Sequence, residues 1–249
     1  MRLLFGGVLY LALFFSFSSL GQHNLKLLNK TFVYDAIFIS QQGDTITRET
    51  VELAFKSSLW KFDKNQQELF ITYNTDTLGI KSFLHPSEKK RRKYEKFEAK
   101  RKEGKKGWEN WTWLEKEEVT GYILNDSVFW MHPPRGNQYR YMQASGMPQV
   151  QLNNLFIGGK WTTKLTMLMG WEEFKGNVVS DYEVIKKVNF TSHNIEVENA
   201  WQIKVEHLHS NLGSYASLLV FDSEIYGFVK FHHKYYNGSQ IIVSLKEVK

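Results

Sequence analysis

The sequence has no cysteine and only four prolines among its 249 residues. Without cysteine there is no disulfide framework and no thiol nucleophile. No Gly-x-Ser-x-Gly elbow occurs either, so nucleophilic hydrolysis of that kind has no support. Gly158-Gly159-Lys160 precedes a strand pattern rather than a helix, which makes it a turn and not a phosphate loop. Aspartates and glutamates are plentiful, but no spacing singles out a pair for glycoside hydrolysis. Proline-rich or low-complexity linkers are missing, and no repeat of fixed period is present. Charge of one sign is also scarce outside one place. Residues 87–107 hold eleven Lys or Arg against four Glu, a surplus of seven, whereas the whole chain carries +6. The remainder therefore sums to −1, which argues against a broad nucleic-acid-binding face and against nucleic acid as a partner.

Long apolar runs are confined to the start of the chain. Residues 1–21, MRLLFGGVLYLALFFSFSSLG, carry one early Arg2, an apolar stretch and a small-x-small ending at Ser19-Leu20-Gly21. That is the pattern of an export signal cut ahead of Gln22, leaving 22–249 as one β domain; the alternative is an uncleaved anchor, since about 18 largely apolar residues just span a bilayer. No Cys follows the run, which excludes a lipidated terminus of the bacterial lipoprotein type. An exported chain of this size without disulfides suits a bacterial envelope: periplasm, outer-membrane surface or secreted.

Period-two alternation dominates the rest. Phe32, Tyr34, Ala36 and Phe38 share one strand face, and Val51, Leu53 and Phe55 share another. Further strands are expected at about 58–63, 68–73, 79–84, 119–125, 127–131, 161–169, 182–190, 201–209, 215–222, 227–235 and 240–246. A polar stretch with few strand signals runs through Pro133-Pro134 to about 154. For the last hairpin, a three-residue loop with Gly238 at a positive-φ bulge position matches apolar to apolar residues. It is expected to pair Tyr235 with Ile241, His233 with Val243 and Phe231 with Leu245. The fold class is mainly β: one large curved antiparallel sheet of about ten strands, closed as a half-barrel, barrel or sandwich because its apolar side has to be hidden.

The basic segment 87–107 reads as one charged helical insertion. Ser87 can cap it, Glu88–Arg92 and Glu98–Lys102 are favourable i,i+4 pairs, and Gly104 or Gly107 can stop it. Its apolar stripe, Tyr94 and Phe97, is too thin for a core helix. Two readings stay open. One is a solvated insertion. The other is docking to an anionic membrane or lipopolysaccharide surface through Lys89, Lys90, Arg91, Arg92 and Lys93, with Trp108 and Trp111 at the apolar boundary. Glu115, Glu117 and Glu118 follow closely and can neutralise the patch internally.

Elsewhere, Trp130-Met131-His132-Pro133-Pro134-Arg135 leaves a strand into a rigid extended turn. Such a turn suits presentation of His132 and Arg135 to a ligand, with Trp130 and Tyr139 beside them; the alternative is a strand-ending loop in which Arg135 pairs a local carboxylate. His207 and His209 share a strand side, and a meander of the last strands would put His209, Tyr215 and His233 in one cross-strand row. A zinc site would need a third ligand on that face, and no Asp or Glu alternates onto it nearby, so neither metal nor cofactor is expected.

From about Tyr182 to Leu245 the chain resembles uncharacterised β-rich periplasmic families of Gram-negative bacteria. The shared stretches are DYEVIKKV as a tyrosine-led strand, NAWQIKVEH as the return strand, and LLVFDSEIYGFVKFHHKYYNGSQIIVSL as a terminal meander. WMHPPR with GKW downstream is similar to secreted proteins of the same sort. The resemblance covers under half of the chain and its motifs are structural, so no catalytic residue carries over. Those families are similar in architecture to periplasmic lipoprotein carriers and other half-barrels that hold acyl chains. The resemblance implies a non-enzymatic envelope protein whose curved sheet holds a lipid, another apolar ligand or a segment of another envelope protein. The alternatives are a structural or assembly role through the same sheet, and a hydrolase with its site near His132 and Arg135.

Overall fold

The computed structural model describes residues 26–75, 95–97, 99–100, 102–106, 115–145, 149–168 and 174–249. The export signal at 1–21, the strand expected at 79–84, and the docking residues Lys89–Lys93, Trp108 and Trp111 lie outside the described residues.

Among the described residues twelve strands form one sheet, not about ten. They are β1 (Thr31–Ile39), β2 (Thr45–Leu59), β3 (Gln67–Asn74), β4 (Glu117–Leu124), β5 (Val128–Met131), β6 (Gln149–Gln151), β7 (Lys160–Met167), β8 (Gly176–Ser192), β9 (Ile195–His209), β10 (Gly213–Asp222), β11 (Gly227–Lys234) and β12 (Gln240–Val248). Their order is β6-β5-β4-β3-β2-β1-β12-β11-β10-β9-β8-β7, and every pair is antiparallel. Two meanders, β1–β6 and β7–β12, are thus joined where the first strand meets the last. Alternation puts Phe32, Tyr34, Ala36 and Phe38 inward against Val51, Leu53 and Phe55 of β2 and Leu245, Val243 and Ile241 of β12, all buried.

The sheet curls until its inner faces touch. Phe129 on β5 meets Phe228 at 4.9 Å and Phe221 at 5.8 Å on the opposite meander. The Tyr34 hydroxyl donates to the Phe228 carbonyl at 2.8 Å. The two edge strands come together through one side chain, Trp161 Nε1 on β7 donating to the Gln149 carbonyl on β6 at 2.7 Å. The result is a nearly closed barrel.

Beyond Val184 the β8–β9 hairpin shifts register twice and leaves the barrel as an arm lying against the outside of β12. His193 at its tip reaches Asp35 of β1 at 2.8 Å, and Lys246 reaches the same carboxylate at 3.1 Å.

Several expectations shift. The separate strand at 58–63 is absent: β2 runs unbroken to Leu59, and residues 60–66 form the turn, closed by Trp60 N–H to the Gln66 carbonyl at 2.8 Å. The last hairpin does use a three-residue loop, with Tyr235 N–H bonded to the Ser239 carbonyl and Gly238 at φ 88°. Its pairs, however, are His233 with Ile241 and Phe231 with Val243, two residues from the expected ones. A slip of two keeps every side chain on its face, so alternation is blind to it; the turn sets it. Part of the basic segment is helical, at 95–97, 99–100 and 102. It stops at Gly104, φ 63°, where the Lys105 N–H reaches back to the Lys100 carbonyl in a Schellman closure.

Gly159, in the turn that launches β7, sits where a Cβ would lie 2.0 Å from the Asn154 carbonyl oxygen. Backbone cannot yield there as a flexible side chain does. Gly159→Ala is expected to lower stability by about 1–3 kcal/mol, measured by chemical denaturation.

Candidate functional site

The polar stretch after Pro133-Pro134 is not a surface loop. Asn137–Ser145 forms a 3-10 helix that enters one end of the barrel and buries Gln138, Tyr139, Met142, Ala144 and Ser145. With three residues per turn, Tyr139, Met142 and Ser145 align on one side, as do Gln138, Tyr141 and Ala144 on another. Such a period falls between the strand and α-helix templates.

Both ends of the segment are anchored. At its start the Tyr73 hydroxyl accepts the N–H groups of Arg135 and Gly136, each at 2.9 Å, and donates to Glu118 Oε2 at 2.7 Å. The Arg135 guanidinium pairs with the same Glu118 and reaches Thr120 Oγ1 at 3.1 Å. Asn137, held at φ 53°, bonds the Glu115 backbone and Thr75. At its far end the Tyr215 hydroxyl donates to the Ala144 carbonyl. Between these anchors Tyr139 stands edge-on to Phe38 at 5.2 Å, and Tyr141 edge-on to Tyr235 at 5.0 Å and to Phe174 at 5.6 Å.

Beneath the segment lies an apolar crevice of about 30 Å³, lined among others by Tyr34, Val51, Leu53, Met131, Met142 and Phe231. Ordinary ligand pockets hold roughly 300–1,000 Å³. The polar fit of the segment is poor: the side-chain oxygen and nitrogen of Gln138 and the Tyr139 hydroxyl are buried with no partner among the described residues.

The opposite wall carries a buried polar chain. Ser180 Oγ meets His207 Nδ1 at 2.8 Å, His207 Nε2 meets Ser217 Oγ at 2.8 Å, and Ser217 Oγ meets His233 Nδ1 at 2.6 Å. His233 Nε2 and the neighbouring Tyr235 hydroxyl end it with no partner among the described residues. A single direction of donation, from the Ser180 hydroxyl through to His233, satisfies every link with neutral imidazoles. Burial holds His207 down at about 3, and burial with the nearby His207 and His232 holds His233 well below its ordinary range. No carboxylate orients either ring within this chain, so it lacks the base–orienter pairing of nucleophilic triads. The expected row of His209, Tyr215 and His233 does not form, because Tyr215 sits opposite His207, and His233 opposite Ser217. His209 has a separate task. Its Nδ1 accepts the N–H groups of Asn211 and Leu212, and its Nε2 donates to the Phe174 carbonyl at 3.0 Å. Among the described residues no three metal-ligating side chains come together.

The four residues of the WMHPPR region point to different sides. Trp130 and His132 face outward, the His132 ring lying 4.5 Å from Trp130 and 5.4 Å from Trp60. Burial, then the Arg135 charge, pushes His132 down to about 4, with Asp63 opposing. Arg135 turns inward to Glu118, and Tyr139 lies in the core. Residue type alone signalled Arg135 and Tyr139, but Ser180, Ser217 and Gln138 carried no signal in the sequence.

The depressed histidines fix the sign of the acid response. An unfolded chain binds protons near pH 6.5 that folded His132, His207 and His233 refuse. Their contribution is complete above about pH 6.5 and is lost as pH falls toward about 4 for His132 and about 3 for His207. His207→Asn is expected to flatten the fall of unfolding free energy between pH 6.5 and 4, measured by urea denaturation across that range.

No protein-family model matches the sequence, and no curated protein matches it. Among solved structures the chain is similar to an outer membrane lipoprotein-sorting protein domain from Vibrio parahaemolyticus. The two share 6% identity and a TM-score of 0.36, with 91% of this chain and 87% of that one covered. A likeness of this degree carries no argument about this chain.

Proposed function

We propose that the chain is a non-enzymatic, exported protein of the bacterial envelope that binds an apolar ligand or partner segment against the inner face of its sheet, in the space now filled by Asn137–Ser145. One observation carries the reading. The crevice wall is apolar, while the segment covering it buries the Gln138 amide and the Tyr139 hydroxyl without partners. Each unpaired group costs about 1–3 kcal/mol. The closed state therefore holds free energy that opening releases, since both groups regain water. Displacing the nine residues would uncover the apolar wall beneath them for an apolar chain.

In the same proposal, Lys89–Lys93 with Trp108 and Trp111 hold the protein to an anionic membrane or lipopolysaccharide surface; the surplus of seven positive charges in residues 87–107 supports this. An assembly role, with a partner polypeptide as occupant, uses the same face. A hydrolase near His132 and Arg135 draws no support from geometry, because the imidazole is packed between two tryptophans outside and the guanidinium is paired inside.

Gln138→Leu removes the buried amide. The variant is expected to gain about 1–3 kcal/mol in stability and to bind a fluorescent fatty acid more weakly than the parent, by denaturation and fluorescence titration. Equal stability and equal probe binding would sink the reading. Neutral residues at Lys89–Lys93 are expected to weaken flotation with vesicles containing anionic lipid and to flatten its dependence on salt.

A further inference from the structure

The barrel has a seam, and β7 forms one lip of it. Asn154 Nδ2 donates to the Lys160 carbonyl at 3.1 Å, which fixes that carbonyl on the side away from β8. On the other side, Val184 exchanges bonds with Gly158 and Gly159, so the inward-facing residues Trp161, Thr163, Leu165 and Met167 continue the ladder to β8. In an antiparallel strand the N–H and C=O of one residue point the same way and alternate along the chain. The backbone groups of Thr162, Lys164 and Thr166 therefore point into the seam, where they have no partner among the described residues. The facing lip, β6, is three residues long, and its Gln149 backbone is reached by the Trp161 indole of β7 and by Tyr182 of β8.

Side chains tell the same story. Leu165 belongs to the inner face yet is 37% exposed, while its neighbour across the ladder, Val178, is 1% exposed. On β7 the inner face is most open at Leu165, with Trp161 and Thr163 half-buried and Met167 buried. Leu168, just beyond the strand, is 69% exposed. On the outer face Lys160 and Lys164 alternate with Thr162 and Thr166.

We infer that the β7 edge is a docking site for one extended strand of a partner polypeptide, with apolar residues at its inward positions and acidic residues at its outward ones. A regular row of unpaired donors and acceptors is satisfied only by extended backbone. The exposed inward position at Leu165, with half-buried Thr163 beside it, asks for apolar neighbours. Lys164 favours an opposing carboxylate, while Lys160 already pairs with Glu183 of β8 at 3.2 Å, and the self-pairing registers of a second copy that set Lys164 against itself or against Lys160 are disfavoured. The incoming strand extends the sheet to thirteen and narrows the seam. This edge is separate from the interior crevice, so either site stands without the other.

The probe is an acetylated, amidated ten-residue peptide of alternating glutamate and valine, with its lysine–valine counterpart as control. Hydrogen exchange is expected to slow at least tenfold at the Thr162, Lys164 and Thr166 amides when the glutamate peptide is added, and not with the control. Lys164→Pro removes a seam-facing N–H without touching the β8 ladder and is expected to weaken the peptide at least tenfold. Lys164→Glu is expected to reverse the preference between the two peptides. Three results overturn the inference: no protection at millimolar glutamate peptide, equal affinity in the proline variant, or protection of β7 by self-association without peptide.

Discussion

A sheet with one aromatic face must hide that face from water, and twelve antiparallel strands in a row have no second layer to do it for them. The chain curls the sheet on itself. Pairing of β1 with β12 places the two meanders side by side, and right-handed twist carries their inner faces together until Phe55, Phe129, Phe221 and Phe228 form one contact series. Aromatic pairs of this geometry add about 0.5–1.5 kcal/mol each beyond simple burial. The Tyr34 hydroxyl bonded to the Phe228 carbonyl then locks the two walls at one height. Every other feature depends on that closure, including the crevice, the covering segment and the seam.

The two ends of the barrel are filled by different chemistry. At the Phe129 end the packing is aromatic and dry. At the other end Ser180, His207, Ser217, His233 and Tyr235 line the wall, and a 3-10 helix rather than more sheet covers it. Unpartnered buried polar atoms concentrate on that side, at Gln138, Tyr139, His233 and Tyr235. Natural proteins break packing rules mainly where function asks for it. Trp60 and Gln66, folded over Gly121 outside the barrel, form a second such place, where a Cβ on the glycine would lie 2.9 Å from the indole.

Alternation made the faces of β1, β2 and β8–β12 readable, because a half-buried strand repeats every two residues whatever its neighbours are. It said nothing about β6, which at three residues is too short to show a period. It also could not separate the observed β11–β12 register from one two residues away. The WMHPPR stretch shows the same division. Its breakpoint after the strand was legible from the prolines, whereas the fate of Arg135 depended on Glu118 and Tyr73, neither close to it in the chain. Ser180, Ser217 and His233 lie far apart in sequence, and only strand pairing links them to His207.

What belonged to the residues alone was the strand character, the sidedness of each strand, a glycine stop at Gly104 or Gly107 and the concentration of charge in 87–107. These are local properties, carried by side-chain period, backbone freedom at glycine and composition. What required the folded chain was the number of strands, their registers, the entry of Asn137–Ser145 into the barrel and the unpaired lip of β7. Each of these is a competition between distant surfaces for the same apolar space or the same backbone donors, and such a competition has no outcome until the chain has closed.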